Sequence, residues 1–302
     1  MSNPFPSIRM VVDTSSNVPD ALLAQYNMIE VAAIVNFGTD SYLNKAELKD
    51  DEFYRMLAEA EEIPTTSQPT PAQFAAAYAQ AFEEGAEHIV LVTVSSKLSG
   101  TYASAVSAAD EFGKERFTLW DSLSASIGGG MQAIAGARAI AAGADVAGVE
   151  AAMQEVQSST YALLTVETLK YLAKSGRVSN LRAGVGDLLG VKPILTLEDG
   201  LLIHASQARG RTRSKKEILG KMAERFAGQP VLLAVAHSNI LAEAEAYLAE
   251  LGTALTIEES HIVDIGPAIG SLAGPGVLAV LAHPVMDPAT FASPTLASTE
   301  SR

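Results

Sequence analysis

What most constrains the fold is a change of hydrophobic rhythm about halfway along the 302 residues. Before it, short apolar runs at 8–12, 29–35, 89–94 and 117–120 alternate with amphipathic stretches at 51–61, 71–84, 100–112 and 126–142. Short apolar runs bounded by turn signals are buried strands, and the longer amphipathic stretches are helices. Their alternation predicts an α/β domain over 7–158, a mostly parallel sheet flanked by helices with ligands near the carboxyl ends of its strands.

Past residue 158 the pattern becomes a strand at 161–166, a helical turn at 168–173, and two strands within 192–205 joined by Glu198-Asp199-Gly200, an Asp-Gly hairpin signal. A second hairpin-like pair is expected at 261–265 and 277–282, with helices at 214–226 and 241–251. That makes 159–286 an α+β domain with a largely antiparallel sheet, and leaves 287–302, rich in Ser, Thr and Pro, as a frayed tail. Two domains suit this length. The only internal echo is Val12-Asp13-Thr14-Ser15 against Trp120-Asp121-Ser122-Leu123, two strands that each end in Asp.

Composition removes several classes of function. A net charge of −14 repels phosphate backbones and anionic lipid surfaces, so nucleic acid is a poor partner. The absence of cysteine excludes disulfides, thiolate metal sites and thiol nucleophiles. His88, His204, His237, His261 and His283 have no ligand spacing, and no metal is expected. Residues 1–6 do not resemble a signal peptide, and the stretch 131–144 contains Arg138 and is too short to span a bilayer. The expectation is a cytoplasmic protein, monomeric and without stable membrane insertion.

Three loops could carry chemistry. Pro64-Thr65-Thr66-Ser67-Gln68-Pro69-Thr70-Pro71 leads into a helix for which Thr70 is the candidate N-cap. Ser95-Ser96-Lys97-Leu98-Ser99-Gly100-Thr101 follows a strand and opens a helix of small residues, an arrangement that suits an anion. The segment 266–276 carries four glycines and two prolines and reads as a long loop lining a site. Gly184-Val185-Gly186 with Gly190 is discounted as a dinucleotide motif because it precedes a strand instead of following one. Gly128-Gly129-Gly130 fits close helix packing.

In this combination the chain resembles the DegV family of lipid-binding proteins, which includes the acyl-carrier subunits of bacterial fatty acid kinase. The matching pieces are Val12-Asp13-Thr14-Ser15-Ser16-Asn17-Val18, Thr66-Ser67-Gln68-Pro69-Thr70, Ser95 to Tyr102, Trp120-Asp121-Ser122, Leu172-Ala173-Lys174-Ser175-Gly176-Arg177-Val178, Lys192-Pro193-Ile194 with Asp199-Gly200, and Gly274-Pro275-Gly276. They run in family order over nearly the whole chain. The resemblance implies one long-chain fatty acid, its carboxylate at the domain junction and its acyl chain in the second domain. It implies hydrogen bonds to the carboxylate from Thr66, Ser67, Ser99, Gly100 and Ser271, no catalytic residues and no cofactor. It also implies a separate ATP-dependent kinase subunit that forms an acyl-phosphate, hence a place in phospholipid metabolism. Arg177 and Arg211 match positions linked to partner docking or head-group contact. Leu272 departs from the family, which commonly has histidine there, so Ser271 or water would compensate, or the ligand or its phosphorylation would differ. The competing reading is a hydrolase or acyl/phosphoryl transferase with a Ser or Thr nucleophile in the Ser95 to Thr101 loop, activated by Asp13 or Asp121.

Overall fold

The computed structural model describes residues 7–177 and 190–293. In chain order the first half comprises β1 (Ile8–Asp13), α1 (Asp20–Gln25), β2 (Ile29–Val31), β3 (Ile34–Phe37), β4 (Asp40–Leu43), α2 (Asp50–Glu59), β5 (Thr65–Ser67), α3 (Pro71–Glu83), β6 (His88–Thr93), α4 (Thr101–Ala109), β7 (Phe117–Asp121), α5 (Ile127–Ala141) and α6 (Val146–Ser159). The second half comprises β8 (Tyr161–Thr165), α7 (Lys170–Ser175), β9 (Val191–Glu198), β10 (Leu201–Arg209), α8 (Arg211–Arg225), β11 (Pro230–His237), α9 (Leu241–Leu251), β12 (Thr256–Asp264), α10 (Gly266–Ala273) and β13 (Leu278–Pro284).

As the alternating pattern requires, the first half builds a parallel sheet in the order β2-β1-β6-β7. Its central strands are apolar on both faces because both are covered. Val11, Ile89 and Leu91 pack under Phe74 and Tyr78 of α3 and Ala105 of α4, whereas Met10, Val12, Val90 and Val92 pack under Met131 and Ile134 of α5 and Met153 of α6. The second sheet runs β10-β9-β8-β13-β11-β12 and is antiparallel throughout except for the β11–β12 pair. One of its faces, with Leu195, Ala234 and Leu281, joins the core around α5 and α6, and the other packs on α8 and α9. The layers therefore alternate helix, sheet, helix, sheet, helix. The pair α5 and α6 lies in the middle, which explains why α5 is buried nearly all round. Among the described residues no helix is long and apolar enough to cross a membrane.

Several expectations need correction. The run 29–35 is two strands, because the Ala33 N–H donates to Thr14 Oγ1 (3.0 Å) and the chain leaves the parallel sheet there. It enters a small antiparallel sheet, β4-β3-β5, packed with α2 against α10. The pair β12 and β13 is not a hairpin: β11, an apolar run buried from Val231 to His237, is inserted between them. Its uninterrupted hydrophobicity suits a central strand, and the alternating burial of β12 suits an edge. Residues 266–273 form a helix where a loop was expected, with Pro267 in its first turn. Residues 146–159, unassigned by pattern, are α6. The described start of the tail is ordered: Asp287 accepts from the Ala289 N–H (2.9 Å), Phe291 packs on the core, and Ser293 Oγ accepts from the Asp145 N–H (3.1 Å). Gly184, Gly186 and the rest of the tail lie outside the described residues.

Candidate functional site

Two aspartates hold the loops around the site, and they are the ones in the internal echo. Asp13 accepts from the Ser15 and Val94 N–H groups, both at 2.7 Å. Asp121 accepts from the Leu123 and Ser96 N–H groups, both at 3.1 Å. Each strand end thus folds into an Asx turn and holds one side of the segment that follows β6. Burial pushes the Asp13 carboxyl above its usual range, against the opposing pull of those backbone donors. With their oxygens engaged by backbone donors, neither aspartate is hydrogen-bonded to a hydroxyl of the Ser95 to Thr101 loop. The Ser99 and Thr101 hydroxyls bond each other instead (2.8 Å). Nothing in this geometry supports an activated Ser or Thr nucleophile.

The loop is clamped from both halves. Ser95 Oγ donates to the Gly200 carbonyl at the tip of the β9–β10 hairpin (2.8 Å), and the Arg177 Nε–H donates to the Leu98 carbonyl (3.3 Å). From the first half, Gln68 lies against Gly100: a Cβ there would stand 2.8 Å from its Nε2. Thr66, Ser67 and Gln68 are thereby brought beside Ser99 and the start of α4. Thr70 caps α3 as expected, in a box with Gln73 (Gln73 N–H to Thr70 Oγ1, 3.3 Å).

Residues of these segments line a cavity between the halves. Its polar lining comes from first-half residues, among them Ser15, Thr66, Ser67, Gln68, Ser99 and Thr101, and from Arg177, the one charged residue among the described lining. Its aliphatic lining comes mostly from the second half: Leu163 and Leu164 on β8, Leu197 and Leu202 on the hairpin, Ile269 and Leu272 on α10, and Leu281 on β13. All the hydroxyls of the described lining thus come from the first half, and most of the aliphatic side chains from the second. Such a cavity accommodates an amphipathic molecule with a small polar head.

Of the residues singled out by sequence, Thr66, Ser67, Ser99, Arg177 and Leu272 line this cavity. Gly100 stands just behind Gln68 as the N-cap of α4. Two are not brought to it. Ser271 turns back on its own helix and donates to the Pro267 carbonyl (2.7 Å). Arg211 donates to Glu243 (3.0 Å) and to the Gly276 carbonyl (2.8 Å), fixing the segment before β13. Ser15, Gln68, Thr101 and Ser126 were missed as lining residues. Gln68 and Thr101 stand inside the hydroxyl-rich motifs and could have been inferred. Ser126 could not, since its φ of +54° and its bond to Asn17 (2.9 Å) are products of the folded loop.

Comparison with known proteins agrees with this architecture. The profile of the DegV family, described as uncharacterised, matches residues 7–285. A DegV domain-containing protein of Deinococcus radiodurans is 32% identical over 288 residues, covering 92% of this chain and 99% of its own. The structure of a DegV family protein from Thermus thermophilus, reported for its fatty acid binding, superposes with a TM-score of 0.85 at 31% identity, covering 92% of this chain and 100% of its own. DegV of Bacillus subtilis, described as a fatty acid binding protein, superposes with a TM-score of 0.85 at 26% identity, covering 93% and 100%. On the family profile and these full-length similarities, the chain belongs to the DegV family.

Proposed function

We propose that this protein carries one long-chain fatty acid, with the carboxylate at the hydroxyl-lined end of the cavity and the acyl chain among the aliphatic residues of the second half. The observation that carries this reading is that one cavity takes all its lining hydroxyls from one half and most of its aliphatic side chains from the other. Fatty acid binding by the Thermus and Bacillus relatives supports it. The tail supplies the affinity, at about 0.8 kcal/mol per buried methylene. The head then requires orientation more than charge pairing, which Thr66, Ser67, Ser99 and the backbone at Gly100 provide through neutral donors. Ser271 drops out of this set because its hydroxyl is committed to Pro267.

A carboxylate held by hydroxyls and not masked in a salt bridge stays reactive toward an electrophilic phosphate. We therefore infer a carrier role: the bound acid is presented to a separate ATP-dependent subunit for acyl-phosphate formation, and this chain contributes no catalytic residue. Mass spectrometry of lipid extracted from the purified protein tests the binding step. About one fatty acid per chain is expected. A chain that is lipid-free and takes up no added oleate would refute the reading.

A further inference from the structure

The second sheet forms the floor of the apolar cavity, and its register shows where that floor is low. The lining residues run from Leu202 on β10 and Leu197 on β9, through Leu164 on β8 and Ala279 on β13, to Ala236 on β11. These strands are consecutive neighbours in the sheet. At about 4.8 Å between neighbours, the floor from β10 to β11 is about 19 Å across, a span that a long acyl chain covers and a short acid does not.

Cross-strand pairing sets Leu164 opposite Ala279 and Ala279 opposite Ala236, so the three stand in one row. Along that row the floor drops from a leucine to two single methyl groups. Ala279 is not simply packed under a helix. Its strand is flanked by β8 and β11, and its neighbours Leu278 and Val280, which point to the other face, are fully buried. Ala279 nonetheless keeps part of its surface open, and it lines the cavity. The hydroxyl-bearing loop is tied to the opposite side of this floor, because Ser95 Oγ donates to the Gly200 carbonyl (2.8 Å) in the turn between β9 and β10. Counted from β9, β13 is the second strand along and β11 the third.

We propose that the acyl chain lies across these strands with its methyl end over Ala279 and Ala236, and that residue 279 thereby limits the length of the acid the protein accepts. The inference rests on the fatty acid reading and adds to it the place where the chain is measured. A larger side chain at 279 would fill the space of the last methylenes. Each buried methylene is worth about fourfold in affinity. Leucine carries three more carbons than alanine and valine two, so the losses for a chain that fills the floor are about sixtyfold and about fifteenfold.

The test is equilibrium binding of radiolabelled palmitate and laurate to the full chain, with folding of each variant checked by thermal unfolding. Palmitate is four methylenes longer, and the unaltered chain should prefer it by about a hundredfold or more. Ala279→Leu should cut that preference about sixtyfold. Ala279→Val, the smaller insertion, should cut it about fifteenfold and gives the same reading if the leucine variant does not fold. A folded variant that keeps the natural preference, whether it binds both acids as before or loses both equally, would overturn the assignment. An unaltered chain that binds palmitate no better than laurate overturns it too, while leaving the fatty acid reading intact; one that binds neither acid overturns both.

Discussion

At the scale of single residues, the proposed head-group set consists of neutral donors, and its members are not equivalent. The Ser99 hydroxyl is shared with Thr101, and Ser67 Oγ accepts from Asn36 Nδ2 (3.3 Å). Thr66 makes no side-chain bond among the described residues and is free to donate outward. Removing a donor leaves a buried carboxylate short of a hydrogen bond, at about 1 to 3 kcal/mol. Ser99→Ala and Thr66→Val should therefore each weaken fatty acid retention by roughly fivefold to a hundredfold with little change in thermal stability. Full retention in the folded double variant would remove these residues from the site. Leu272 lines the cavity together with the aliphatic Ile269 and Leu281.

At the scale of elements, the β9–β10 hairpin joins the halves. Asp199 and Gly200 both have positive φ, +48° and +79°, the turn that an Asp-Gly pair favours. Gly200 has a second duty: a Cβ there would stand 2.4 Å from Ser95 Oγ, the atom that donates to its carbonyl. Gly200→Ala therefore combines strain at positive φ with a clash against the head-group loop, and should cost about 1 to 3 kcal/mol. Denaturant unfolding would measure this. Asp199→Asn, which tolerates the same backbone, should be near neutral, and equal effects in the two variants would show that the glycine is not needed there. Gly130 illustrates close approach in another way, since a Cβ would come within 2.4 Å of the Ser16 carbonyl and push α5 off the loop after β1.

At the scale of the whole molecule, cavity and interface between the halves are the same place. Arg177 crosses it, donating to Leu98 of the first half and to the Ser175 carbonyl (2.6 Å) of the second. That geometry makes it more than a solvated surface arginine. If it serves the partner, Arg177→Ala should reduce acyl-phosphate formation by a kinase subunit about tenfold while lipid retention changes by no more than roughly threefold. A parallel loss of both, read by extraction and by phosphorylation of the same preparation, would make it a head-group ligand instead.

How much of this was legible in the chain follows from the range of the forces involved. Local signals were sufficient for the parallel first sheet, the Thr70 cap and the Asp-Gly hairpin, because apolar periodicity, capping and turn preference act over a few residues. The hydroxyl-rich motifs likewise marked the segments whose Thr66, Ser67 and Ser99 line the cavity. Tertiary structure alone decided that β11 separates β12 from β13, since competition for the central position depends on which strand is most apolar across the whole sheet. It alone turned Ser271 and Arg211 away from the cavity, through bonds to Pro267, Glu243 and Gly276. It alone left the amide group of the buried Asn44 without a partner among the described residues. Where a side chain points, and what remains unpaired, depends on groups distant in sequence that only folding brings within hydrogen-bond reach.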